Sequence, residues 1–243
     1  MLNLLMFDEY GRKAQLYPAL LVILPPLVTL LVLLPSLMSL KGTVGAVVVG
    51  CGTLVLMANL GRDAGRRKQD LLFPDGLPTQ RWLRHRDLTL EAPTKERYKE
   101  FLLGKVPSLE FPTADKEKAD PAAADGAYRS AVRWLVDNTR SVKRVQQENI
   151  AYGFRRNLYG LKPWGLLAAI AAAVIAGVVL WLRHGMAIET IPAEALVVFA
   201  FDAVVLPIMW TIAVKPTWVA SAADGYALAL FGYCDAEKHS RNR

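Results

Sequence analysis

Four long apolar stretches constrain this chain more than any other feature of its sequence. Crossing the roughly 30 Å hydrocarbon core of a bilayer takes about 20 apolar residues in a helix, because the backbone must satisfy its own hydrogen bonds there. Four stretches meet this requirement with no Lys or Arg in their cores: 17–40, 43–60, 164–182 and 193–214. They predict an all-α integral membrane protein with four transmembrane helices.

The spacing of these stretches predicts two helical hairpins with a long insertion between them. Only Lys41 and Gly42 separate the first two stretches. The first is too long for the apolar region of a signal peptide, so we expect a retained anchor. The expected parts are a cytoplasmic N-terminal tail (1–16), a transmembrane hairpin (17–60), a mainly helical cytoplasmic domain (61–163), a second transmembrane hairpin (164–214) and a cytoplasmic amphipathic tail helix (215–243).

The basic residues predict the orientation of the chain. Of 29 Lys and Arg, 21 lie in 61–163, and the two short loops on the other side hold one each. This positive-inside bias places both termini and the central segment in the cytoplasm, with the protein in the plasma (inner) membrane. The net charge is +7, and the basic residues lie beside apolar stretches rather than on a recognisable nucleic-acid-binding module. No nucleic acid partner is therefore expected.

Several basic and aromatic residues next to the apolar stretches are typical of contacts with lipid headgroups, where each cation near an anionic leaflet gains about 1 kcal/mol. The residues expected to make such contacts are Arg62, Arg66, Arg67, Lys68, Arg155, Arg156, Lys162 and Trp164.

A pattern of Tyr, Gly, Leu and Tyr recurs in register at 10–17 and 152–159, before the first and third stretches. One interpretation is duplication of a basic, aromatic segment followed by a hairpin. The other is that any segment approaching a membrane from the cytoplasm favours Tyr and Arg or Lys.

Within the central segment, turn and capping signals predict short helices. After Thr79 we expect either a short helix or a solvated turn packed on its neighbours. A helix is expected from Thr94 to Leu103, followed by an exposed linker over 106–119. Asp120 followed by Pro121 predicts a helix start. It opens either one long helix or two with a break near 138–141, leading into the third apolar stretch.

The tail helix from Thr217 is unexpectedly apolar on one side. Trp218, Tyr226 and Leu230 lie on this face at multiples of four residues. Such a face needs a partner, which is the central segment, the membrane surface or another subunit.

Asp202 is the only acid deep within an apolar stretch, and Pro207 follows it by five residues. A charged Asp at mid-bilayer costs about 2.5–3.5 kcal/mol on insertion scales, so it should face protein or water. A proline there should kink the helix. The two residues are interpreted either as a gate, ion path or proton site, or as a neutral Asp hydrogen-bonded to a hydroxyl such as that of Thr29 or Thr53.

Small residues spaced four apart predict close helix contacts, because association in lipid relies on close approach. Ala46 and Gly50 form one such pair in the second stretch, and Ala169, Ala173 and Gly177 form a stripe in the third. They are expected to pack spans into a bundle or subunits into an oligomer.

The sequence lacks the motifs of phosphate loops, zinc peptidases and serine hydrolases. His85, His184 and His239 have no partner at ligand spacing and are expected to be solvated or interfacial. Cys51 and Cys234 are expected to be packing residues. We therefore expect neither an enzyme nor a cofactor or metal site.

In general layout, though in no shared motif, this arrangement is similar to membrane effectors of bacterial immune systems. That likeness implies an oligomeric, channel-like or membrane-perturbing effector that acts in antiviral defence. The bilayer, further copies of the chain, and a cytoplasmic protein or small-molecule signal would be its partners. The alternative is a non-conducting scaffold or sensor subunit that recruits a cytoplasmic partner, and a small transporter is a third hypothesis.

Overall fold

A computed structural model describes residues 8–34 and 40–241, and over these ranges the chain contains helices and no β-strand. We number the main helices in chain order: α1 (Gly11–Leu33), α2 (Leu40–Leu72), α3 (Pro78–Arg81), α4 (Ala92–Leu103), α5 (Ala114–Ala119), α6 (Pro121–Asn138), α7 (Lys143–His184), α8 (Ala193–Ala213) and α9 (Pro216–Arg241).

Four of these helices are long and apolar enough to cross a membrane: α1, α2 from Val47 onward, α7 and α8. The all-helical class and the four apolar helices predicted from the sequence are confirmed. Two of the helices extend far beyond their apolar stretches. α2 has 33 residues and α7 has 42, so each carries a polar extension in a single continuous helix.

The first apolar helix ends earlier than predicted. α1 stops at Leu33, and Leu34 has φ −125° and ψ 71°, outside the helical region. The residue before a proline is pushed away from helical geometry, and Pro35 follows Leu34 in the sequence. Lys41 and Gly42, predicted to be the turn, instead lie inside α2. Within the described residues, α1 therefore ends before the predicted turn and α2 already includes it.

The chain divides into two compact units. The first, here called the apolar unit, comprises Met1–Gln69 and Gly153–Val219, and the second, the polar unit, comprises Asp70–Tyr152 and Ala220–Arg243. Each unit has hydrophobic clusters of its own.

The core of the apolar unit is centred on Trp210, which is 1% exposed and packs among Leu158, Leu161, Leu206 and other apolar side chains. Two smaller clusters lie along the same helices, one around Leu33 and Ala176, the other around Leu16, Ala19 and Ala58. At the end of α7, Gly185 adopts φ +59°. A glycine in this left-handed conformation is a common helix terminator.

The polar unit has a core built mainly from α4, α6 and α9, together with Trp82 and Leu83, which follow α3. Its buried members include Trp82, Leu102, Tyr128, Leu135 and Phe231, each at most 2% exposed. The aromatic rings of Trp82 and Tyr98 stack on Phe231, with centroids 6.3 and 5.9 Å away.

The predicted helix start at Asp120 is confirmed, since its Oδ1 accepts a hydrogen bond from the Ala123 N–H at 3.0 Å and α6 begins at Pro121. Of the two alternatives for the region that follows, the structure has two helices with a break at 139–142. Helix α4 also ends as predicted, at Leu103 just before Gly104, although Glu91 rather than Thr94 is its N-terminal cap.

Two regions of this unit differ from the sequence predictions. The helix expected after Thr79 is a single turn that begins at Pro78, with Thr79 buried inside it. The stretch 106–119 is not wholly an exposed linker, because α5 forms there with Thr113 as its N-cap and Glu117 is 2% exposed. The charge run 115–118 predicts solvated side chains, but the tertiary structure supplies hydrogen-bond donors for Glu117.

Candidate functional site

Asp202 of α8 is completely buried in the apolar unit, at 0% exposure. The hydroxyl oxygen of Thr29 on α1, itself 1% exposed, lies within hydrogen-bond distance of Asp202 Oδ2. Thr29 Oγ1 also lies 3.0 Å from the carbonyl oxygen of Pro25, one turn earlier on α1. Asp202 Oδ1 is buried with no hydrogen-bond partner. Of the two hydroxyls proposed from the sequence, Thr29 is therefore the partner, and Thr53 lies elsewhere, on the wall of a groove.

The backbone around Asp202 departs from a regular α-helix. Phe201–Val205 and Met209–Ala213 are π-helical turns, and Pro207 lies between them in the short α-helical segment Leu206–Ile208. A proline inside a helix removes one hydrogen bond and crowds the preceding turn, and π-turns are frequent at functional sites. The sequence predicted a distortion at Pro207, and the structure places wider helical turns on both sides of it.

One close contact fixes the position of α8 against α7. A Cβ built on Gly165 would overlap the indole ring of Trp210, so the ring lies directly against the α7 backbone. Any side chain at position 165 would displace Trp210 from the core. The sequence analysis singled out neither residue, because nothing local distinguishes Gly165 from the other small residues of α7.

The stripe of small residues that packs α7 is rotated from the predicted one. Ala169 is buried as expected, at 1%, but Ala172 and Ala176 are its buried neighbours along the helix. Ala173 and Gly177 are half-buried, and a Cβ on Gly177 would lie 3.4 Å from the Phe199 ring. The neighbouring helices decide which face of α7 is buried. The spacing of small residues along α7 alone cannot identify that face.

The predicted pair on α2 makes no helix contact that the structure describes. The space around a Cβ at Gly50 is empty within 4 Å, and Gly50 lines an apolar groove of about 640 Å³ between α1, α2 and α7. The side chain of Ala46 lies outside the described residues. Trp164, predicted to contact headgroups, is 43% exposed and also lines this groove.

Three other glycines make the close helix contact instead. A Cβ on Gly160 of α7 would lie 2.5 Å from the Gly65 nitrogen and 2.8 Å from the Gly61 carbonyl oxygen, both on α2. Gly61 and Gly65 are four residues apart, which is the small-xxx-small spacing that allows two helix backbones to touch. The spacing of Gly61 and Gly65 is visible in the sequence, within the basic segment that follows the second apolar stretch.

Four of the basic residues predicted to contact lipid headgroups bind residues of the apolar unit that are distant in sequence. Lys68 Nζ donates to the Tyr159 carbonyl oxygen at 2.8 Å and lies 4.4 Å from the ring centroid of the same tyrosine. Lys162 Nζ donates to the carbonyl oxygens of Thr211 and Val214 at the end of α8. Cations stabilise such helix C-termini because the last carbonyl groups have no helical partner.

The two arginines of α7 also bind within the apolar unit. Arg155 donates to the Trp218 carbonyl oxygen at 3.1 Å and lies 5.0 Å from its ring. Arg156 donates to Gln69 Oε1 at 3.2 Å. Of the other predicted headgroup residues, Arg62 pairs with the neighbouring Asp63, while Arg66 and Arg67 are exposed.

The two segments that share the Tyr-Gly pattern contact each other. Asn157, 1% exposed, donates from Nδ2 to the Ala14 carbonyl oxygen at 2.7 Å. A Cβ on Gly153 would lie 2.6 Å from the Tyr10 hydroxyl and 3.0 Å from the Ala14 Cβ. The small and amide residues of the pattern therefore serve helix contact, whichever interpretation of the repeat holds.

The apolar face of the tail helix is partly internal. Leu230 is 0% exposed in the core of the polar unit, and the Tyr226 ring stacks on Tyr152 at a centroid distance of 6.4 Å. Trp218, in the apolar unit, packs edge to face on Phe154. For Leu230 the partner inferred from the sequence is the unit's own core rather than another protein.

A buried ionic cluster in the polar unit surrounds Glu117. Its carboxylate accepts hydrogen bonds from the Tyr128 hydroxyl at 2.6 Å and from the His85 and Arg86 N–H groups at 2.9 and 3.1 Å. The Arg86 guanidinium donates to it as well, at 3.0 Å. Burial opposes ionisation of Glu117, but these four donors outweigh it and lower its pKa to about 2.

The same cluster holds the 84–87 segment in place. Arg84 and Arg86 both donate to the carboxylate of Asp125, each at 2.8 Å. Lys95, 6% exposed, donates to the carbonyl oxygens of Arg84 and Asp87. These contacts join the 84–87 segment to α4, α5 and α6.

The sequence predicts a solvated or interfacial His85, but its ring has protein partners. His85 Nε2 lies 3.0 Å from the Pro112 carbonyl oxygen and 3.2 Å from Lys99 Nζ. Over residues 8–34 and 40–241, no group of three His, Cys, Asp or Glu is placed to hold a metal ion.

Comparison with known protein families, curated proteins and solved structures finds no match for this chain. The function must therefore be argued from the residues alone.

Proposed function

We propose that this protein spans the plasma (inner) membrane four times as two hairpins, with both termini and the polar unit in the cytoplasm. Large apolar side chains on the outer surface of the four helices support this, among them Val48, Leu182 and Val197 at 67%, 70% and 67% exposure. Lipid is the favourable environment for such a surface. The concentration of Lys and Arg in 61–163 supports the orientation.

We further propose that the protein is an oligomeric, channel-like or membrane-perturbing effector controlled through its polar unit. The observation that carries this is the fully buried Asp202 carboxyl with one oxygen unpaired, in a unit otherwise built from apolar helices. Ionisable groups at this depth are costly and usually mark an ion or proton path. A packing role alone would not need a carboxyl group.

Controlled expression in bacteria with a voltage-sensitive dye tests this function. The wild-type protein is expected to depolarise the cells and slow growth, and Asp202→Leu is expected to abolish both effects. The matched control is Glu194→Gln, which neutralises an exposed acid at the start of the same helix. Two results would contradict the proposal. One is an unchanged membrane potential when an immunoblot shows that the wild-type protein is present in the membrane, and the other is full depolarisation by Asp202→Leu.

A second candidate, a non-conducting scaffold or sensor subunit, is favoured by one exposed residue. Leu88 is 91% exposed and follows the 84–87 segment that the buried ionic cluster holds in place. A large apolar side chain on a fixed loop is suited to docking. This candidate predicts no depolarisation by any variant, together with a cytoplasmic partner that cross-links to a photoreactive residue at position 88 and is lost on Leu88→Asp.

A further inference from the structure

We propose that Asp202 is a proton-binding site, in which the bound proton forms a hydrogen-bonded chain from the carboxyl through the Thr29 hydroxyl to the Pro25 carbonyl oxygen. This deepens the proposed function, on which it partly rests, by assigning the polar group of that site a ligand. The ligand is a proton rather than a metal cation.

The chain of oxygen atoms requires two protons. Thr29 Oγ1 lies within hydrogen-bond distance of both Asp202 Oδ2 and the Pro25 carbonyl oxygen. A hydroxyl group has a single proton but can also accept. Threonine in a helix commonly donates to the carbonyl four residues earlier, which is the Pro25 contact. The contact with Asp202 then needs its own proton, and a neutral carboxyl group supplies it.

The other carboxyl oxygen favours the same assignment. Asp202 Oδ1 is buried and has no partner. A carboxylate shares its charge between both oxygens, so ionisation would leave a buried charge with at most one donor. The unpaired carbonyl oxygen of a neutral acid costs far less than an unpaired buried charge.

No compensating charge lies along the neighbouring apolar stretches. In the sequence, 18–33, 164–182 and 195–213 contain no ionisable residue other than Asp202. On the helices of these stretches, the ionisable groups nearest in sequence are Arg12, Lys13 and Tyr17 on α1, Lys162, Arg183 and His184 on α7, and Glu194 on α8.

Loss of the proton is therefore coupled to a change in structure. Once ionised, Asp202 would need further donors at Oδ1, and water is the source of donors in an otherwise apolar unit. Water reaches that atom only if α1 and α8 separate near Thr29. The π-helical turns that flank Pro207 are where α8 has the least regular backbone hydrogen bonding, which suits such a movement.

Infrared spectroscopy of the full-length protein in liposomes of phosphatidylethanolamine and phosphatidylglycerol at pH 7 tests the assignment. A carboxylic acid C=O stretching band is expected in the wild type and in Glu194→Gln, and is expected to be absent in Asp202→Asn. Asparagine keeps the volume and can donate to Thr29, which makes it the least disruptive change.

The Thr29 variants test the chain and do not depend on the folding of the Asp202 variant. Thr29→Val is expected to shift the acid band by removing its hydrogen bond, while Thr29→Ser leaves it in place. A carboxylate band in place of the acid band, or an acid band unmoved by Thr29→Val, would overturn the proposal.

The spectroscopic and cellular results separate the two proposals. An acid band without depolarisation of cells leaves the proton site standing and removes the channel-like function. Depolarisation that depends on Asp202, together with a carboxylate band, leaves the channel-like function standing and removes the proton site.

Discussion

Gly160 of α7 and Gly65 of α2 face each other without a side chain between them, since a Cβ on Gly160 would lie 2.5 Å from the Gly65 nitrogen. The contact is between two backbones, so a neighbouring rotamer cannot move aside to accept a methyl group. We expect Gly160→Ala to lower the unfolding temperature of the detergent-solubilised protein by several degrees, at a cost of about 1–3 kcal/mol from overpacking. Fluorescence-detected thermal unfolding measures this.

The control for that substitution is Gly52→Ala on α2, where nothing lies within 4 Å of the added methyl group. Alanine is favoured over glycine in a helix by up to about 1 kcal/mol, so this variant should be neutral or slightly more stable. Equal effects of the two substitutions would mean that α2 and α7 do not touch at this crossing.

The predicted orientation is tested with two single cysteines in a Cys51→Ala, Cys234→Ala background. Met186→Cys, at an 85% exposed position between α7 and α8, should react with a membrane-impermeant maleimide in intact cells. Ala122→Cys, exposed at the start of α6, should react only after the membrane is permeabilised. The reverse pattern would invert the proposed topology, and the cysteine-free background controls for other reactive groups.

The Glu117 cluster gives the polar unit a defined pH dependence. The folded pKa of Glu117 is about 2, below the ordinary value of 4.5. A lowered carboxyl pKa contributes stability that is fully present above pH 4.5 and is lost as the pH falls toward 2, here about 3 kcal/mol in all. Amide hydrogen exchange of the segment around His85 and Arg86 should therefore accelerate over this range.

Glu117→Gln should show fast exchange in that segment already at pH 7, because the Arg86 guanidinium and the buried Tyr128 hydroxyl lose their charged acceptor. Glu110→Gln, an exposed acid in the same region, is the control and should leave exchange unchanged. Protection in Glu117→Gln equal to that of the wild type would show that the carboxylate does not hold the 84–87 segment.

Cys234 should be chemically inert in the folded protein. It is 2% exposed, and burial together with the neighbouring Asp235 carboxylate raises the pKa of its thiol to about 12. Because the thiolate is the reactive form, maleimide at pH 7.5 should label it only after denaturation. Ala236→Cys, an exposed position two residues along the same helix, should be labelled at once.

Helix capping and apolar length were predictable because they depend on residues close in sequence. The four apolar helices follow from their composition, and the start of α6 follows from Asp120 and Pro121 as neighbours. Each is a local property, and the structure changed the bounds mainly where a further local signal, such as Pro35 after Leu34, had been overlooked.

Asp202 illustrates the limit of such reasoning. Its depth in an apolar stretch was evident from the sequence, and hydroxyl partners could be proposed, but Thr29 and Thr53 could not be told apart. The choice depends on the rotation of α1 and α2 about their axes, which is set by packing against α7 and α8 rather than by either helix alone.

The sequence by itself determined that the chain is helical, that four helices are apolar enough to span a membrane, and that one acid lies deep within them. Only the tertiary structure decided that Thr29 meets Asp202, that Gly61, Gly65 and Gly160 form a backbone contact, and that Glu117 is buried among donors. The physical reason is distance along the chain. Hydrophobicity and capping act over one or two helical turns, whereas these contacts join side chains and backbones brought together by the packing of separate elements.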